Sequence, residues 1–201
     1  MLKRLSLPLL VFLTACSSMP QIPVSDAIRQ QTSWAEQQHS WSLSGRIAIT
    51  SSDESGQADL FWNQQSPQQY SLKMVAPFGG GTTQLNVSAD GAAVTLADGK
   101  TYYADSLQEL LSQSSDWVLP VDAVRYWLFA LPAPGIPVQK LELNQQQLPQ
   151  YLEQSDWKIR FKSYHNIDGH WLPGKLFMQQ TDLEQNRIDV RVVIRQRQGL
   201  Q

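Results

Sequence analysis

Few residues in this chain are placed to do covalent chemistry. Its one thiol is Cys16, the only cysteine among 201 residues. The histidines are His39, His165 and His170; the last two flank a turn at no recognisable zinc spacing and read as surface residues. No Gly-x-Ser-x-Gly elbow offers an activated serine. The run Gly79-Gly80-Gly81 is not followed by Lys-Ser or Lys-Thr and is no phosphate loop. Aspartates and glutamates are numerous, and a glycosidase pair stays open in principle, yet sequence alone cannot set two of them across one substrate. The expectation is a protein that is not an enzyme and uses neither metal nor cofactor. Sixteen basic and 18 acidic side chains lie scattered, which argues against nucleic acid, whose binders carry basic patches.

The chemistry that remains is acylation of Cys16. Lys3 and Arg4 precede an apolar run from Leu5 to Leu13, broken only by Ser6 and Pro8. A basic start, a short apolar core and small residues are the parts of a secretory signal, and the run is too short for a membrane span of ~20 residues. The alternative is an ordinary signal with an unrelated cysteine nearby. Leu13-Thr14-Ala15-Cys16 resembles the bacterial lipobox, which implies cleavage before Cys16 and its lipidation. Acylation accounts for both the presence and the solitude of a thiol that would be a liability in an oxidising compartment. Several acyl chains anchor stably, at ~0.8 kcal/mol per buried CH₂. By resemblance to Gram-negative lipoproteins, Ser17 in place of aspartate favours the outer membrane, facing the periplasm. The expected organisation is a cleaved signal at 1–15, a lipidated tether at 16–25 with Pro20 and Pro23, and a single domain at 26–201. Losing Lys3 and Arg4 moves the formal charge from −2 to −4.

The elements follow from periodicity. A helix is expected over 26–41, with Ser25 as N-cap and Ala27, Ile28, Trp34, Ala35 and Trp41 as its apolar positions. From 43 the period is two: Leu43, Ile47, Ile49; then Ala58, Leu60, Trp62; then Tyr70, Leu72, Met74. Asp90-Gly91 and Asp98-Gly99 are hairpin signals. Two-residue turns there put Val87 opposite Val94, Val94 opposite Tyr103 and Leu96 opposite Thr101, so Leu85, Val87, Val94, Leu96 and Tyr103 share a face. Asp105 with Gln108 predicts a capping box for a helix bearing Leu107, Leu110 and Leu111. A second helix is expected to begin after Pro120 and run to about Ala130, with Val121, Val124, Leu128 and Leu131 at helical spacing, and to end at Pro132, Pro134 and Gly135. Strands are expected at 138–143, 148–154, 156–163, 170–180 and 187–196. A long antiparallel meander with one apolar face predicts a barrel or half-barrel covered by helices.

One feature resists a purely structural account. Ala76-Pro77-Phe78-Gly79-Gly80-Gly81 is a turn with a large apolar residue at its tip. Either Phe78 folds back onto the core, or the tip touches a membrane or a partner.

Several elements, in order along most of the mature chain, resemble the LolB family of outer-membrane lipoprotein receptors. They are the lipobox, Phe61-Trp62-Asn63-Gln64, the family's Asn-Pro-Leu-Gly read here as Ala76-Pro77-Phe78-Gly79, Leu85-Asn86, Leu119-Pro120 through Arg125-Tyr126-Trp127 to Leu131-Pro132, and Asp156-Trp157-Lys158. Phe78 stands where the family has an exposed leucine, and the loop after it carries an extra glycine.

The resemblance implies a half-closed antiparallel β-barrel whose apolar cavity, covered by short helices, takes acyl chains. A LolA-like periplasmic carrier would deliver the lipoprotein, which passes on to outer-membrane phospholipid. A sixteen-carbon chain exposed to water costs ~12 kcal/mol, so acyl chains cannot cross the periplasm bare. With no nucleotide site, transfer runs downhill in affinity. The candidate lining is Leu43, Ile47, Ile49, Leu60, Trp62, Tyr70, Leu72, Met74, Leu85, Val87, Val94 and Tyr103, with Trp127 and Leu128 as lid positions. The membrane-targeting loop would be Pro77, Phe78 and Gly79. A monomer is expected. The rival readings are a lipid-binding periplasmic module outside sorting, a structural outer-membrane lipoprotein, and a cell-wall hydrolase.

Overall fold

The computed structural model describes residues 25–52, 55–113, 119–181 and 186–200. The signal at 1–15, Cys16 and the tether up to Val24 lie outside the described residues.

Helix α1, Asp26–Gln37, starts where the Ser25 hydroxyl accepts a hydrogen bond from the Ile28 N–H at 3.3 Å. It ends short of residue 41. Trp41 instead opens strand β1, Trp41–Thr50, where it continues the buried alternation of Leu43, Gly45 and Ile47. Strands β2 (Ser55–Ser66), β3 (Gln69–Val75), β4 (Thr82–Ser88), β5 (Gly91–Thr95) and β6 (Thr101–Ala104) follow. Two helices, α2 (Leu107–Gln113) and α3 (Val121–Trp127), then lead to β7 (Val138–Leu143), β8 (Pro149–Gln154), β9 (Trp157–Ile167), β10 (His170–Thr181) and β11 (Arg187–Gln198).

The eleven strands among the described residues form one antiparallel sheet in the order β6-β5-β4-β3-β2-β1-β11-β10-β9-β8-β7. Every neighbour pair is consecutive in the chain except β1 with β11, which joins the two halves. The edges are β6 and β7, so the sheet stays open, a half-barrel rather than a closed one. The helices between those two strands lie in the connection from one edge to the other. One hydrophobic core unites the inner face of the sheet with residues of α1, α2 and α3.

Two hairpins differ from the sequence expectation. Between β4 and β5 the turn residues are Ala89 and Asp90, so Val87 faces Ala92 and Leu85 faces Val94. That displacement keeps Leu85, Val87 and Val94 on one face. Between β5 and β6 the turn has three residues: Leu96 N–H donates to Lys100 O at 2.8 Å, and Gly99 takes φ +84°. This is a type I turn closed by a left-handed glycine, not a two-residue turn. Val94 therefore faces Tyr102, and Tyr103 pairs with Ala93 on the opposite face, 74% exposed. One extra residue in the turn has flipped the strand, and Tyr103 is no part of the inner lining.

The capping box of α2 also sits one residue later than expected. Ser106 Oγ accepts from Glu109 N–H, and the Glu109 carboxylate accepts from Asp105 N–H, each at 3.2 Å. Helix α3 stops at Trp127, and a Schellman turn carries the chain to Leu131: Ala130 N–H donates to Trp127 O at 3.0 Å and Leu131 N–H to Tyr126 O at 3.1 Å.

Candidate functional site

The inner face is apolar along both halves of the sheet. Leu43, Ile47, Leu60, Trp62, Tyr70, Leu72, Leu85 and Val94 are buried there. Ile49, Met74 and Val87 are half-buried at its margin. Trp127 and Leu128, on the covering helix and its last turn, are each 1% exposed. Aromatic rings tie cover to sheet where Trp41 meets Phe129 at 5.4 Å and Trp127 meets Trp157 at 6.0 Å, and within the sheet Trp62 meets Trp41 at 5.6 Å and Tyr70 at 5.8 Å. His170 is not a free surface residue; its ring stacks on Trp34 of α1 at 3.9 Å.

Three polar anchors hold the cover; sequence reading placed Tyr70 on the inner face without its polar role and missed Gln154 and Arg197. The first is Tyr70, whose hydroxyl donates to Asp122 Oδ1 at 3.2 Å; burial, and then the Asp122 carboxylate, hold it well above the ordinary tyrosine range. The second is Gln154, which is fully buried. Its Oε1 accepts from Trp127 Nε1 at 3.0 Å and from Ala133 N–H at 2.9 Å, and its Nε2 donates to Ala133 O at 2.6 Å and Ile136 O at 2.9 Å. A signal existed: a glutamine at the inward phase set by Leu152.

The third anchor is Arg197. A register shift at Ser44/Gly45 leaves Arg195 as an extra residue in β11. The bulge turns Arg197 inward. A Cβ on Gly45 would lie 2.2 Å from Val193 O, so only glycine admits this approach. Arg197 Nη2 donates to Leu128 O at 2.7 Å and to Pro173 O at 3.0 Å, the guanidinium lies 5.7 Å from the centre of the Phe129 ring, and Nη1 is buried without a partner. Burial pushes its pKa down to about 9. The Leu128 carbonyl is one of those left free at the end of α3, where a cation is favourable.

Packing leaves two apolar gaps at the margins of this face. One, of about 190 Å³, lies under the β3–β4 turn between Ile47, Ile49, Ala58, Met74 and Gly81. The other, of about 320 Å³, lies between α1 and the exit of α3, walled by Trp41, Tyr126, Phe129 and Leu131.

The β3–β4 turn is the other notable feature. Ala76 N–H donates to Gly81 O at 3.0 Å and Gly80 N–H to Pro77 O at 3.1 Å, closing a single helical turn over Pro77–Gly79. Phe78 stands at its apex with φ +56° and is 105% exposed. It does not fold back onto the core. Among the described residues no group of three or more His, Cys, Asp or Glu gathers to hold a metal, and no helix is long and apolar enough to cross a membrane.

The family profile described as Outer membrane lipoprotein LolB matches residues 39–196. The outer-membrane lipoprotein LolB of Nitrosococcus oceani is 34% identical over 197 residues, covering 95% of both chains. That of Alkalilimnicola ehrlichii is 32% identical over 186 residues, covering 91% of this chain and 90% of the relative. In fold, the chain is similar to a LolA superfamily protein from Nitrosomonas europaea, with TM-score 0.56 and 11% identity over 89% of this chain and 94% of the other. A domain from Vibrio parahaemolyticus, described as outer membrane lipoprotein-sorting, matches with TM-score 0.54 and 11% identity over 86% and 90%. With its profile spanning β1 to β11 and relatives alike over nearly their whole length, the chain belongs to the outer membrane lipoprotein LolB family.

Proposed function

We propose that this chain is an outer-membrane receptor, anchored through acylated Cys16, that takes lipoproteins from a LolA-like carrier by their acyl chains and inserts them into the membrane. The observation that carries the reading, beside family membership, is an apolar sheet face whose cover is a separate helical layer. That layer is held by three polar anchors and by ring contacts. Sites for small ligands usually enclose ~300–1,000 Å³, and the gap under the tip holds about 190 Å³. Acyl chains enter when α3 and its exit loop part from the sheet. The half-buried Ile49 and Met74 line the gap under the Phe78 turn, where such an opening starts, while Val87 faces Tyr70 toward the other end of β4. Phe78 with Pro77 and Gly79 then touches outer-membrane phospholipid at release. The domain acts as a monomer, and transfer needs no bond-making step, because affinity rises from carrier to receptor to bilayer.

The test is transfer itself. Lipidated cargo on the carrier is mixed with the receptor and liposomes, and the same is done with Val87→Trp. The receptor should accept lipidated cargo, reject its unlipidated form, and deliver it to the bilayer. The bulkier side chain should weaken acyl binding more than it lowers the unfolding free energy. Equal losses would make this face an ordinary core. Binding of fatty acid without acceptance of cargo from the carrier would make the protein a lipid-binding module outside sorting.

A further inference from the structure

The outer face of the sheet, opposite the covering helices, carries a cluster that the acyl-transfer reading does not use. Phe177 on β10 lies directly between Arg160 of β9 and Arg191 of β11. Lys162, Lys175 and Arg191 place their charges 5.8, 5.3 and 5.5 Å from the centre of its ring. All four cations are exposed. Among the described residues none of the four is within ion-pair distance of a carboxylate. The acids nearby are engaged elsewhere: Asp189 with Arg187, Asp59 with Arg46 and Arg195, Glu142 with Lys140, and Glu153 with the Tyr151 hydroxyl.

Four uncompensated cations around one ring repel one another, and cation–π contact offsets only part of that. In a chain of net charge −2 such a gathering is a local inversion of sign. We propose that this surface binds anionic phospholipid headgroups. Its position supports that partner over an acidic protein. Lys175 is in register with Val193, Arg46, Asp59 and, on β3, Val75, the last strand residue before the Phe78 turn. Arg160, Phe177 and Arg191 lie two residues further toward that same end of the sheet. A bilayer met by the Phe78 tip is thus brought close to the cations. The site is also a strand surface with long side chains, not a cleft that would grip one peptide. The inference rests on the proposed membrane anchoring and adds a headgroup class to it.

The experiment uses the lipidated full chain with Val193→Cys, a half-exposed position directly opposite Lys175, labelled with a fluorophore. Vesicles of phosphatidylcholine alone are compared with vesicles containing one quarter phosphatidylglycerol. An aqueous quencher should reach the label freely in the first and several-fold less in the second at low salt, with the difference lost at high salt. Each Lys or Arg at an anionic surface contributes roughly fivefold. The triple change Lys162→Gln, Lys175→Gln, Arg191→Gln should therefore abolish the protection while leaving the melting curve and acyl-probe binding intact. Equal quenching in both vesicles, protection that survives the triple change, or protection given by an acidic carrier without vesicles would each overturn the proposal. Failure of the chain to stay with either vesicle would instead overturn the anchoring on which it rests.

Discussion

Phe78 and Ala130 share a backbone state and little else. Both are non-glycine residues in the left-handed region, at φ +56° and +59°, a conformation that costs a side chain roughly 1–2 kcal/mol. Ala130 is 3% exposed, sits at the glycine position of a Schellman turn, and has its methyl packed beneath the exit of α3. Its strain is offset by burial and by the hydrogen bonds of the turn. Phe78 is fully exposed: hydrogen bonds close its turn as well, but no burial of the ring offsets the strain. The other exposed residues in this conformation, Gln147, Ser155 and Asp168, are polar and suit their turns. The comparison separates a region that the fold needs from one that it merely tolerates. Strain in an apolar residue that gains no burial from it is a pointer to use.

The largest expected effect belongs to the region the fold needs. Gln154→Leu strands the Trp127 N–H, both backbone groups of Ala133 and the Ile136 carbonyl; at ~1–3 kcal/mol per buried unsatisfied group, the expected loss is at least about 4 kcal/mol in urea unfolding. A loss under about 1 kcal/mol would show that the cover is not tied to the core. Next comes the tip. Phe78→Glu should slow insertion of cargo into liposomes on the order of a hundredfold, because a carboxylate resists the apolar layer. Its unfolding free energy should move by less than about 0.5 kcal/mol, and Phe78→Leu should insert cargo at nearly the normal rate. A variant that destabilised the domain severely would place Phe78 among the fold's own contacts and dissolve the contrast.

Arg197→Met tests the anchor between the two. Two hydrogen bonds are lost, yet a buried, unpaired guanidinium is removed, so stability should fall by only about 1–2 kcal/mol. Affinity for a long-chain fatty acid should rise several-fold, because the open form is more populated; unchanged affinity would mean that Arg197 does not restrain the cover. The smallest effect is expected for Ala130→Gly, where relief of the left-handed strain and loss of a buried methyl nearly cancel, to within about 0.5 kcal/mol. Differential scanning calorimetry would resolve a larger change, which would mean that one of the two contributions dominates the turn.

Local physics made much of this protein legible. Period-two alternation placed the strands of the inner face, from Leu43 in β1 to Ile194 in β11, because one side of each is buried and the other wet. Ser25 marked the start of α1, and the Asn166–Gly169 turn lies where its residue types place it. Pro77 and three glycines located a turn whose Phe78 has no neighbour to hide against, and the ordered motifs pointed to the family. What the sequence left open depended on partners distant along the chain. Tyr103 went to the outer face because one more residue entered a turn, a choice set by how β5 and β6 pair. Trp41 left the helix because β2 offered it a strand position opposite Gln64. Arg197 points inward only because β1 and β11, whose paired residues lie about 150 positions apart, meet with a bulge at Gly45. The closing of the cover over Trp62 and Leu85 was equally invisible, since a cavity wall and a packed core are written in the same apolar residues. Alternation records which side of a strand avoids water; only the assembled sheet and helices decide what fills the space on that side.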